Sequence, residues 1–179
     1  MQTWIGLFRG INVGGKNVLP MVALVSALEA LKLRQIRTYI QSGNVVFKSK
    51  HASAASLAST ISRQLEQQHG FRPHVLLLSG GELLDAVSAN PFPEAVSDPK
   101  TLHVFFLEST PPSPNVAAIE AAKTPTERYK LAKRLFYLHA PDGIGRSKLA
   151  MNVEKQLGVV TTARNYRTVA KLAEIVMES

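Results

Sequence analysis

Ile36-Arg37-Thr38-Tyr39-Ile40-Gln41-Ser42-Gly43-Asn44-Val45-Val46-Phe47-Lys48 is the stretch that decides the fold. Two β-type runs, Ile36 to Gln41 and Val45 to Lys48, flank Ser42-Gly43-Asn44. A short polar turn with glycine between such runs is a hairpin signal. Upstream, Thr3 to Ile11 is rich in Trp, Ile, Leu and Phe and reads as a buried strand. Leu24, Leu28 and Leu31 recur at helical spacing, which predicts a helix over Pro20 to Leu33 with Pro20 at its first position. Downstream, Leu57, Ile61 and Leu65 predict a helix over Ser53 to Gln68, closed by Gly70, and His74 to Leu78 is a further strand. Strand, helix, hairpin, helix, strand is the ferredoxin-like βαββαβ unit.

The order then partly repeats. Ser79-Gly80-Gly81-Glu82 opens a short helix that stops before Pro91-Phe92-Pro93. Leu102 to Leu107 is a strand, Asn115 to Ala122 a short helix, and Arg128 to Leu131 with Leu135 to His139 a second hairpin. Ser147 to Leu157 is helical, Val159 to Thr161 is a short strand, and Thr168 to Met177 closes the chain as a helix. The expected class is α+β, with two similar, interlocked ferredoxin-like halves. The first covers residues 1–80, a connecting helix and loop covers 81–100, and the second half with the C-terminal helix covers 101–179. They are expected to form one structural unit.

The 179 residues carry a net charge of +8, distributed unevenly. Residues 1–50 hold seven Lys/Arg against Glu29 alone, whereas residues 51–120 hold three against seven acids. Residues 121–171 hold eleven against three. Basic regions separated by an acidic one suit phosphate or nucleic acid. Cysteine is absent, which excludes disulfides, thiolate metal sites and cysteine nucleophiles. The apolar runs fall short of the ~18 residues of a membrane span, and the start lacks the pattern of a signal peptide, so a cytoplasmic protein without membrane association is expected.

Gly10-Ile11-Asn12-Val13-Gly14-Gly15-Lys16-Asn17 follows the first strand and fits seven of the eight P-loop positions. Asn17 stands where Ser or Thr would hold magnesium, and the helix begins too late for Lys16 to sit on its first turn. A magnesium-dependent nucleotide hydrolase is therefore disfavoured. Consecutive glycines can still converge backbone N–H groups on an anion beside Lys16; the competing reading is a plain chain reversal. In a βαβ unit the first and second strands end at the same edge. Arg9, Asn12, Gly14, Gly15, Lys16, Gln41, Ser42 and Asn44 are thus expected to gather there, where amide and guanidinium groups suit phosphate or carboxylate.

A second basic loop, Asp142-Gly143-Ile144-Gly145-Arg146-Ser147-Lys148, opens a helix with Ser147 as a candidate N-cap. Gly145, Arg146, Ser147 and Lys148 admit an anion site or an ordinary capped helix, and Arg164-Asn165 before the last helix admits the same two readings. Pseudo-twofold packing of the halves would bring the two basic loops into one cleft. His51, His69, His74, His103 and His139 show no metal-ligand spacing.

The blocks Leu7-Phe8-Arg9-Gly10-Ile11-Asn12-Val13-Gly14-Gly15-Lys16, Tyr39 to Phe47, Ala89-Asn90-Pro91-Phe92, Gly143-Ile144-Gly145-Arg146-Ser147-Lys148-Leu149 and Thr162-Ala163-Arg164-Asn165-Tyr166 together resemble the bacterial "domain of unknown function 1697" family. The resemblance implies an α+β fold of two similar, interlocked halves and no assigned reaction. The family more often carries Trp where this chain has Tyr166.

The function expected from these residues is a basic, glycine-lined cleft for a phosphate-bearing or other anionic small ligand. An RNA-binding module, a nucleotide-using enzyme and an interaction protein with an acidic partner are the rival readings. Gly43-Asn44-Val45-Val46-Phe47 lacks the aromatic pair an RNA-binding sheet needs. No cofactor, reaction or oligomeric state is legible.

Overall fold

The computed structural model describes residues 1–179. Two four-stranded antiparallel sheets carry the fold, each within its own compact unit. One unit comprises Met1–Asp85 with Lys171–Ser179, and the other comprises Ala86–Ala170.

In the first unit β1 (Gln2–Arg9), α1 (Met21–Ala30), β2 (Arg34–Tyr39), β3 (Asn44–Ser49), α2 (Ala54–His69) and β4 (His74–Ser79) follow in order. The sheet order is β2-β3-β1-β4, the ferredoxin-like arrangement. β1 lies between β3 and β4, and Trp4 to Phe8 are buried on both faces, which is why the run is continuously apolar. Trp4, Phe8, Val45, Phe47, Val75 and Leu77 face one way and pack with Leu24 and Leu28 of α1 and Leu57, Ile61 and Leu65 of α2. Ile5, Leu7, Val46, Leu76 and Leu78, on the opposite face, are buried as well. Gly70 closes α2 as its sequence predicts, at φ 76, whereas Ser53 stands just before the helix as its N-cap, its Oγ accepting from Ser56 N–H.

The boundaries of two elements, α1 and β2, differ from expectation. Pro20 caps α1 instead of beginning it, and the helix stops at Ala30 because Lys32 turns to φ 62. β2 starts at Arg34 and is interrupted by a bulge between Arg34 and Arg37, with Gln35 at φ 51.

The second unit repeats the order with β5 (Leu102–Leu107), α4 (Val116–Ala122), β6 (Arg128–Ala132), β7 (Leu135–His139), α5 (Lys148–Leu157) and β8 (Thr161–Asn165), arranged β6-β7-β5-β8. Phe105, Leu107, Phe136 and Leu138 pack with Ile119 of α4 and Leu149, Val153 and Leu157 of α5. The last strand runs further than Val159 to Thr161. It pairs with β5 from Thr161 opposite Leu107 to Asn165 opposite His103, because the ladder continues along the whole of β5. Arg164 and Asn165 therefore sit in a strand, and α6 (Tyr166–Met177) begins immediately after it.

α3 (Gly80–Ser88) starts with a reciprocal cap: Ser79 Oγ accepts from Glu82 N–H, while Glu82 Oε2 accepts from Ser79 N–H at 2.8 Å. The division between the units falls inside α3 and inside α6. No helix is long and apolar enough to cross a membrane.

Candidate anion-binding site

Antiparallel pairing sets Leu7 opposite Asn44, Arg9 opposite His74 and Tyr39 opposite Asn44. The end of β1, the end of β2 and the starts of β3 and β4 thus share one edge of the first sheet. The glycine loop and the 40–44 turn meet there and are bonded. Asn12 Nδ2 donates to the Gln41 carbonyl at 2.8 Å, and Phe8 N–H donates to the Gly43 carbonyl at 2.8 Å.

The loop itself is a miniature hairpin. Gly14 and Gly15 adopt φ 59 and 73, and Lys16 N–H donates to the Val13 carbonyl at 3.1 Å, the features of a type I′ turn. Asn12 N–H donates to the Asn17 carbonyl, and Asn17 Nδ2 donates to the Gly10 carbonyl. The loop is thus a tight reversal. The N–H groups of Gly14 and Gly15 have no partner in the chain and are exposed with Lys16.

The gathered residues divide by role. Asn12 holds the loop: its Oδ1 accepts from Leu19 N–H at 2.7 Å, and its Nδ2 donates to the Leu19 carbonyl as well as to Gln41. Asn44 is fully buried and donates to Ser42 Oγ at 2.8 Å and to the Tyr39 carbonyl at 3.2 Å, so it shapes the hairpin. Gly43 adopts φ 74 with its Cα facing Phe8 and Ile11. Arg9, Gln41 and Ser42 are exposed at the same edge.

Three contributors at this edge were missed by reading the sequence. α1 begins here with no side-chain cap, so its first N–H groups face outward without one. His74 lies opposite Arg9 in register, with a buried Nε2 that has no partner. α2 also ends at this edge, bringing His69 and Arg72, the latter paired with Glu66 at 3.6 Å. The absence of Ser, Thr, Asp or Asn directly before Met21 was the readable signal for the first. The other two depend on the register of β4.

In the second unit, β5 starts where β7 and β8 end: Leu102 faces His139 and His103 faces Asn165. The Asp142–Lys148 loop and Arg164-Asn165 therefore share one edge of that sheet. Ser147 is buried and its Oγ accepts from Ala150 N–H at 2.9 Å, an N-cap as expected. Gly145, Arg146 and Lys148 are exposed around it. Asn165 Oδ1 accepts from Thr168 N–H, and burial lowers the Arg164 guanidinium pKa to about 10. His103 is buried with an unpartnered Nδ1, and desolvation lowers its pKa to about 4. Arg128 pairs with Glu94, stands 4.9 Å from the Phe92 ring centre and donates to His139 Nδ1 at 3.1 Å. Burial, then the Arg128 charge, lowers the His139 pKa, while the Arg128 hydrogen bond lowers that of Glu94.

Comparison with known proteins gives the fold and the family. The chain is similar to the structure of the conserved bacterial protein SP0830 from Streptococcus pneumoniae, with 24% identity, 98% of each chain covered and a TM-score of 0.77. No curated protein matches the sequence. The family model described as "Protein of unknown function (DUF1697)" matches residues 1–137, and the chain belongs to that family.

Proposed function

We propose that the glycine-loop edge of the first unit binds a phosphate-bearing or other small anionic ligand. One observation carries this reading: the outward N–H groups of Gly14 and Gly15, the uncapped start of α1 and the Lys16 ammonium are assembled on one edge. Backbone N–H groups at a helix start carry partial positive charge, and an ammonium beside them adds a full one. Arg9 and Gln41 extend the same surface, while Asn12 and Asn44 hold it in shape. Gly145, Arg146, Ser147 and Lys148, with Arg164 and Asn165, form a second candidate edge, in the second unit, where the Ser147 cap already uses one helix-start N–H.

The small-anion reading is supported over sheet-face RNA binding. Modules of the latter kind expose stacked aromatics on the open face of a four-stranded sheet. Here Ile5, Leu7, Val46 and Leu76 fill that face of the first sheet, and Val104, Phe106 and Tyr137 that of the second, all buried. The test is a backbone-amide NMR titration of the full chain with inorganic phosphate and pyrophosphate. Saturable shifts at Gly14, Gly15, Lys16 and Met21–Ala23 are expected. Lys16→Ala should weaken binding about tenfold, the worth of one charge-assisted hydrogen bond. Unmoved amides, or equal affinity in the Lys16→Ala variant, overturn the proposal.

A further inference from the structure

At the other end of the first sheet, four cations collect without a counter-ion. Arg34 on β2 and Lys48 on β3 are directly opposed in an antiparallel ladder. Lys32 lies two residues before Arg34, in the turn where its φ is 62, and Lys50 lies two residues beyond Lys48. None of the four forms an ion pair. Glu178 is paired with Arg37 at 2.8 Å and Glu174 with Lys171 at 2.7 Å, and Glu29, three residues before Lys32, is exposed and forms no ion pair with the four. Like charges directly opposed across strands destabilise a sheet. The bulge that follows at Gln35 leaves Arg34 in register with Lys48. A local arrangement that weakens the fold marks a surface serving something besides the fold.

We infer that the corner formed by Lys32, Arg34, Lys48 and Lys50 binds the phosphate backbone of a nucleic acid. Two features select this partner over an acidic protein. Protein–protein contacts are organised round clusters of aromatic or apolar anchors and are depleted in lysine; residues 32–35 and 48–53 hold no exposed large apolar side chain, and a single one, Met1, stands beside them next to Gln2 opposite Ser49. Phosphate contacts, by contrast, are made by Lys and Arg and need no such anchor. This surface lies at the end of the sheet opposite the glycine loop, and its binding is independent of base sequence.

The experiment is fluorescence anisotropy of a labelled 20-nucleotide oligouridine with the full chain, repeated across 25–200 mM salt. Four phosphate contacts predict a slope of log affinity against log salt of about −3. Lys48→Gln should weaken binding several-fold and reduce that slope by about 0.7. The fourfold variant with Gln at positions 32, 34, 48 and 50 should lose more than tenfold, whereas Lys155→Gln, in the last turn of α5 in the second unit, leaves binding unchanged. Removing the opposed charge should also raise the urea midpoint of Lys48→Gln at low salt, which shows that the variant is folded. Unaltered oligouridine binding in the fourfold variant overturns the inference. So does binding of poly-glutamate as tight as that of the oligonucleotide, which assigns the corner to an acidic protein.

Discussion

Gly43 is the position where one added methyl group would do most harm. A Cβ there would stand 2.6 Å from Phe8 Cβ and 2.7 Å from Ile11 Cδ1, at a φ of 74 that side chains avoid. Left-handed strain of about 1–2 kcal/mol and overpacking of similar size add up, so Gly43→Ala should cost about 2–4 kcal/mol by urea unfolding. Asn12→Ala removes three hydrogen bonds and should cost about 2–3 kcal/mol. It should also blur the NMR signals of the glycine loop. His103 sets a pH dependence. Its folded pKa, about 4, lies below the ordinary 6.5, so the unfolded chain takes the proton first. The contribution is complete above pH 6.5 and is lost as pH falls toward 4, amounting to about 3 kcal/mol at most. Unfolding measured from pH 7 to 4 should show a shallower decline in His103→Leu than in the parent chain.

The caps sort the helices into structural ends and available ends. α2, α4 and α5 each start on a side chain that accepts a backbone N–H: Ser53, Asn115 and Ser147. α1 starts on Pro20 and has no such bond. Ser147→Ala should therefore destabilise the chain by about 1–2 kcal/mol in thermal or urea unfolding, and Ser147→Asp, which keeps the acceptor, should restore most of that. Equal losses in the two variants would show that the hydroxyl matters for packing and not for the cap.

The whole chain is divided in an order different from its sequence. Residues 171–179 belong with residues 1–85, and Leu172, Ala173 and Ile175 among them are buried. Burying a Leu or Ile side chain contributes about 1.5–3 kcal/mol, and domains are stable by only about 5–15 kcal/mol. A chain ending at Ala170 should thus unfold at a much lower midpoint than the full chain, or without cooperativity. An unchanged midpoint would show that the terminal segment contributes nothing to the first unit.

The sequence by itself determined the elements, their order and the turns. Helical leucine spacing, the cap residue Ser147, and the glycine turns at 14–15, 43 and 70 act over a few residues, so their physics is local. It also settled that the glycine loop and the 40–44 turn share an edge, since that follows from strand direction alone. The tertiary structure decided what the gathered residues do there. The Asn12 partner Gln41 is 29 positions away, and the burial of Asn44 depends on the sheet closing round it. The meeting of His74 with Arg9 and the opposition of Arg34 and Lys48 follow from strand register, as does the extension of β8 through Arg164. Register is set by long-range pairing of whole faces, and a one-residue slip would turn every side chain to the other face.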